Sequence, residues 1–298
     1  MPNVRFKNYL HLHFIVFIWG FTAVLGKLIS IEALPLVWYR MLLASCFIFL
    51  FISLKKYGLR LSRKTLFTLV FAGIIIALHW LTFFRAIKVS NVSVALATMS
   101  TGALFTAVLE PIWYRRKLLW YELVFGVMVL TGLYIIFKVE TTYVEGILLA
   151  LTSAMLAAIF SLINGKLILK ERPSVISFYE LLSGCIFLTV YLGFQGSFDA
   201  NFFLLSMNDL LYLFILASVC TAYAFIASVR IMEHISPYTV MLTINLEPIY
   251  GIVLAFLIFG DSEKMNPLFY VGALIILATV IANGLLKRRG KLKKRGTA

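Results

Sequence analysis

Stretches of about 20 apolar residues, separated by short polar segments, recur from one end of the chain to the other. A bilayer core about 30 Å thick is crossed by about 20 helical residues rising about 1.5 Å each. The pattern therefore predicts ten membrane-crossing helices: Leu10–Ser30, Pro35–Leu54, Thr65–Ile87, Ser90–Ile112, Tyr121–Val139, Tyr143–Ile163, Ser174–Phe194, Asp209–Met232, Ser236–Gly260 and Pro267–Leu286. The joining segments are short, which makes consecutive helices antiparallel neighbours. The first run follows Arg5 and Lys7, as in a signal peptide. It is long, contains Lys27 and recurs later in the chain, so we read it as a retained helix.

Composition agrees. Of 298 residues, 62% are hydrophobic, against about 45–50% in soluble domains, and the mean hydropathy is +0.97. The net charge of +14 has two readings, nucleic acid or membrane. The positions of the 27 basic residues decide between them. With the N-terminus cytoplasmic, 21 fall in or beside inward segments, and only Arg85, Lys88, Lys138 and Lys264 fall outside. Lys27 and Arg40 lie within spans. This is the positive-inside bias. It predicts a multi-pass protein of the inner (plasma) membrane with both termini cytoplasmic, membrane lipids as partners and no nucleic acid. The basic run 287–298 forms a cytoplasmic tail. Cys46, Cys185 and Cys220 all fall in spans, so no disulfide framework is expected.

The two halves echo one another. Gly26-Lys27-Leu28-Ile29 returns as Gly165-Lys166-Leu167-Ile168, and Trp38-Tyr39-Arg40 as Phe178-Tyr179-Glu180. Ser90 and Val94 return as Ser236 and Val240, and Gly126 as Gly272. The offset drifts from 139 to 146. Five spans per half force the second half to cross in the opposite sense. The expected fold is an all-α integral membrane protein of ten transmembrane helices in two inverted five-helix repeats, residues 1–140 and 141–286. Transporters use this architecture, with the substrate at the midplane where the repeats meet. The triplets Leu109-Glu110-Pro111 and Leu246-Glu247-Pro248 are out of this register, being 137 apart. In register, Pro248 falls opposite Ala103.

Several of these residues resemble the EamA-type transporters of the drug/metabolite transporter superfamily. Trp19-Gly20-Phe21 resembles that family's Trp-Gly opening, and Arg40 stands where it commonly has Arg. Arg85-Ala86-Ile87 with Ser90 resembles its Ala-Leu-x-x-x-Ser junction. Leu246-Glu247-Pro248 through Gly260-Asp261 resembles its Leu-Glu-Pro…Gly-Glu signature, with Asp for Glu. The first repeat departs from the pattern at Ala103, where Pro is usual, and at Arg115-Arg116, where Gly-Glu is usual. The resemblance covers both repeats. It implies alternating access to a central cavity and movement of small metabolites, often amino acids, usually outward.

Candidate chemistry centres on Glu247. A carboxylate near the bilayer centre is costly unless it faces protein or water, and such acids usually mark function. Pro248 lacks an N–H and leaves the Ile244 carbonyl without its helical partner. The ninth span is thus expected to kink between Ile244 and Pro248, while the fourth stays straighter at Ala103. Asn245 adds a polar group there. Removed from water, Glu247 is expected to exchange a proton during the cycle, with His79 as a second titrating group. Trp80, Trp19, Tyr250 and Tyr223 are candidate cavity walls, although aromatics are abundant at 15%. Arg40 either holds a substrate carboxylate, snorkels, or pairs with an acid of the other repeat. Lys27 is expected to snorkel at the outer surface. No His-Glu-x-x-His run, nucleophile elbow or phosphate loop is present. We therefore expect no enzyme, no metal and no cofactor. The favoured function is secondary transport, with export of amino-acid-like or amphipathic solutes. A non-transporting receptor or structural protein, or an intramembrane enzyme, is the alternative. A homodimer is compatible with the sequence.

Overall fold

The computed structural model describes residues 2–115, 120–232, 243 and 246–295. These residues form helices α1 (Pro2–Leu28), α2 (Ala33–Leu54), α3 (Arg63–Val89), α4 (Val92–Met99), α5 (Gly102–Tyr114), α6 (Trp120–Val139), α7 (Val144–Leu167) and α8 (Pro173–Phe194). The short α9 (Ala200–Phe203), α10 (Met207–Ala217), α11 (Ala224–Met232), α12 (Glu247–Phe259) and α13 (Pro267–Arg295) follow. Helix starts are written locally. Ser62 accepts the Thr65 N–H at 3.1 Å, Asn91 the Val94 N–H at 2.8 Å and Ser206 the Asp209 N–H at 3.0 Å. Such caps satisfy amides that the first turn leaves without partners.

Eight described segments are long and apolar enough to cross a membrane, from Lys7–Leu28 to Met207–Ser228. A shorter apolar stretch, Pro267–Ala282, stands at the expected tenth span. The expected ninth span runs through undescribed residues, and α12 is its described part.

The fourth span differs from expectation. It is not straight near Ala103 but breaks between α4 and α5 at Ser100–Thr101. Here the bonds Thr101 N–H to Thr98 O (3.0 Å) and Leu104 N–H to Thr101 O (2.8 Å) are one residue tighter than α-helical. The Thr101 and Ser100 hydroxyls also take the carbonyls of Thr98 (2.7 Å) and Leu96 (3.2 Å). Serine and threonine compete with helical bonding in this way, so this break needs no proline. Pro248 sits in the first turn of α12, where its missing N–H costs nothing. The expected bend at Ile244 and Asn245 lies outside the described residues. Helices α5 and α12 are both 13 residues long, begin 145 apart, and both end on a positive φ, at Arg115 (52°) and Gly260 (57°).

Packing crosses between the halves. Helix α3 lies on α7 and α8, while α10 and α11 lie on α1 and α2. Helix α12 lies on α1, and α4 and α5 lie on α7. These are the same contacts with the halves exchanged. Helices α6 and α13 cross at Gly132 and Gly272, where a Cβ on either would lie 2.7 Å from the other's carbonyl oxygen. Without side chains at the crossing, two backbones can touch, a usual device of membrane helices.

Candidate functional site

The central polar cluster begins with Arg40 on α2. It is 3% exposed and does not reach the membrane surface. Its guanidinium carbon lies 3.7 Å from the centroid of the Trp80 ring and 5.4 Å from that of Phe84. Stacking on aromatic faces suits the planar, weakly hydrated guanidinium. Its Nε donates to Thr221 Oγ1 at 2.9 Å. Thr221 is placed by a π-helical turn, Ser218–Tyr223, between α10 and α11. Its hydroxyl donates to the Leu216 carbonyl five residues back, at 2.7 Å. Such bulges are frequent at functional sites because they re-aim a side chain.

An aromatic row runs from Arg40 toward α1. Trp80 meets Phe225 edge-on at 6.4 Å, and Phe225 meets Trp19 at 6.2 Å. Trp19 precedes Gly20, where α1 crosses α12. A Cβ on Gly20 would sit 2.9 Å from the Gly251 nitrogen and 3.1 Å from the Glu247 carbonyl oxygen. The Trp-Gly pair therefore does two jobs: the indole closes the row, and the bare backbone brings α12 in. The half-buried Glu247 opens α12, where the helix dipole favours an anion. Arg40 and Glu247 lie within electrostatic range of one another, so an ionised Glu247 would attract the guanidinium.

The remaining candidates divide. Tyr250 and Tyr223 bond to α1 through their hydroxyls, to His13 Nδ1 at 3.0 Å and to His11 Nε2 at 2.7 Å. They tie α12 and the eighth span to the first. His79 lies apart from the aromatic row. Its Nδ1 is 2.9 Å from the Ser153 carbonyl oxygen and 2.8 Å from Ser153 Oγ, and that hydroxyl donates to the His79 carbonyl at 2.9 Å. A proton on Nδ1 satisfies the whole set, so His79 clamps α3 to α7. Asn245 lies outside the described residues. The Lys27 ammonium bonds Glu263 of the connector after α12 at 2.8 Å. Sequence reasoning missed Thr221, Phe225, Ser153 and Glu263. Only Phe225 left a trace, standing 145 residues after Trp80 in the register of the repeat. Among the described residues, no group of three His, Cys, Asp or Glu side chains comes together. A cleft of about 350 Å³ between α5, α6 and α7 is lined by Leu104, Phe105, Val108, Leu109, Leu130, Met155 and Ile159, away from the charged cluster.

The model of the EamA-like transporter family matches residues 8–138 and again 144–285. The chain belongs to the EamA-like transporter family. An uncharacterized transporter of Clostridium kluyveri is 25% identical to this EamA-like chain over 253 residues, covering 81% of this chain and 80% of its own. A protein of known crystal structure is similar at a TM-score of 0.66, over 96% of this chain and 99% of its own. At 15% identity that likeness shows a shared fold.

Proposed function

We propose that this EamA-like transporter moves small zwitterionic or amphipathic organic solutes outward across the inner membrane by alternating access. In this reading the site lies between inverted five-helix repeats, with both termini cytoplasmic. One observation supports the substrate class: a buried arginine stands at one end of an aromatic row whose other end, Trp19, adjoins the crossing of α1 with the Glu247-bearing α12 of the other half. A guanidinium grips a carboxylate through paired N–H donors. Glu247 offers the complementary charge to an ammonium, and Trp80, Phe225 and Trp19 offer apolar faces between them. Solutes with both charges would replace the Arg40–Glu247 attraction with two attractions of their own.

The test is radiolabelled amino-acid exchange in proteoliposomes holding the full chain. Arg40→Lys should raise the half-saturating concentration of carboxylate-bearing solutes by at least about 30-fold, since a broken buried charged contact costs about 2–5 kcal/mol. Glu247→Gln should weaken solutes that bear an ammonium and spare neutral ones. Unchanged saturation curves for both variants would remove the site. A wild-type protein without saturable flux of any solute in a metabolite-wide screen would favour the receptor reading.

A further inference from the structure

Glu180 is the second-half counterpart of Arg40. Helices α2 and α8 are both 22 residues long, start 140 apart, and carry these residues at the same step. Glu180 is 1% exposed, yet its polar surroundings are sparse. Asn164 Nδ2 of α7 donates to Glu180 Oε2 at 3.3 Å. Among the described residues, Glu180 Oε1 and Asn164 Oδ1 have no hydrogen-bond partner.

Among the described residues, the charged groups on the elements packed around α8 are engaged or distant. Helix α3 presents backbone at Gly73, where a Cβ would lie 2.3 Å from the Glu180 carbonyl oxygen. Its Arg63 and Lys64 are exposed in the first turn, His79 is on Ser153, Arg85 on Glu145 and Lys88 on the Ile29 carbonyl. From α2, Arg40 faces Trp80 and Thr221. From α7, Lys166 faces the Trp113 carbonyl and Glu145 faces Arg85. Helix α11 carries Arg230, whose side chain lies outside the described residues. On α8 itself, Tyr179 donates to the Leu59 carbonyl, and the Cys185 thiol is a weak donor at most.

An ionised carboxylate in such a place would be a buried charge with one weak amide donor and, among the described residues, no cation. A protonated carboxyl removes the charge and supplies one O–H, and a small rotation of either side chain turns that O–H toward Asn164 Oδ1. Glu247 differs: it stands in the field of Arg40. Two repeat-related positions thus hold a cation and, among the described residues, an acid with no cation beside it. Resting on the transport reading above, we infer that Glu180 with Asn164 is a proton-binding site that couples solute movement to a proton gradient, and that the state seen here holds the proton. Glu180 lies seven residues into α8, about 10 Å along the helix from its predicted cytoplasmic start. Parting of α7 from α8 would admit water there. The Oε1–H bond then breaks, the proton leaves with the water, and the carboxylate keeps its bond from Asn164 Nδ2.

Two measurements on the reconstituted full chain test this. Infrared difference spectra over a pH titration in lipid should show a protonated-carboxyl C=O band that disappears in Glu180→Gln and shifts in Asn164→Leu. Glu247→Gln should leave that band in place. This readout needs no substrate, so it stands even if the transport reading fails. In flux assays, Glu180→Gln should retain solute exchange but lose uphill transport driven by a pH gradient, at least tenfold. Absence of the band in the wild type, its survival in Glu180→Gln, or a drive by sodium that ignores pH would each overturn the inference. Retained uphill transport in Glu180→Gln would overturn it too, whereas loss of all exchange in the wild type strikes only the transport reading.

Discussion

At the scale of single residues, the buried charges sort by who answers them. Glu263 is 1% exposed and fully answered. Its two oxygens accept the Val92 N–H (3.1 Å), the Ser93 N–H and hydroxyl (both 2.8 Å) and the Lys27 ammonium (2.8 Å). One carboxylate thus caps α4 and anchors α1. Removing it leaves several donors without acceptors, and each buried orphan costs about 1–3 kcal/mol. Glu263→Ala should therefore lower the detergent-solubilised protein's melting temperature clearly more than Lys27→Ala, which leaves the acid its amides. Equal small losses in thermal-shift assays would mean that the cap contributes nothing. Glu247 and Arg40 were legible in the sequence because a charge in the middle of an apolar run is conspicuous. Glu263 was not, because it stands in a polar connector and its partners on α4 lie about 170 residues away, with Lys27 farther still. The Glu180–Asn164 pairing was hidden for a different reason: asparagine near a helix end is an ordinary sight.

At the scale of elements, repeat register predicted more than residue identity did. Pro248 marks a break in the ninth span, and Ala103, its counterpart, marks none in the fourth. The structure instead starts α5 and α12 at equivalent positions, using hydroxyls in the first half. The place of the break was legible through the offset of 145, while its chemistry was not, since serine and threonine act through bonds that a pattern of polarity does not reveal. If the break is a working hinge, replacing Ser100 and Thr101 together with alanine should favour a continuous helix by about 0.5 kcal/mol per residue. The expected outcome is a protein that melts at the same or a higher temperature and turns over solute several-fold more slowly. An undiminished turnover rate would show that the break is only an accident of packing. The rest of the helical layout was readable because about 20 apolar residues in a row permit little else.

At the scale of the whole molecule, the two ends of the bundle differ in kind. One end is tied by polar contacts: Lys27 to Glu263, the Ser30 amide and hydroxyl to Asp209 (both 2.6 Å), Arg85 to Glu145 (3.0 Å) and the Asn266 amide to Glu140 (3.2 Å). These ties gather most of the acids near that end. The opposite end holds the basic connectors, Lys55 to Lys64 and Lys166 to Arg172, and the C-terminal run from Lys287. Cationic loops resist passage to the outer face, so the acid-tied end should face outward. Accessibility of single cysteines in a variant lacking Cys46, Cys185 and Cys220 checks this orientation. A membrane-impermeant maleimide applied to intact cells should label Asn201→Cys, next to the acid-tied end. It should reach Leu292→Cys, in the basic tail, only after permeabilisation. The reversed pattern would invert the molecule in the membrane. It would also place the proton released at Glu180 on the outer side, making the same coupling chemistry drive solute inward.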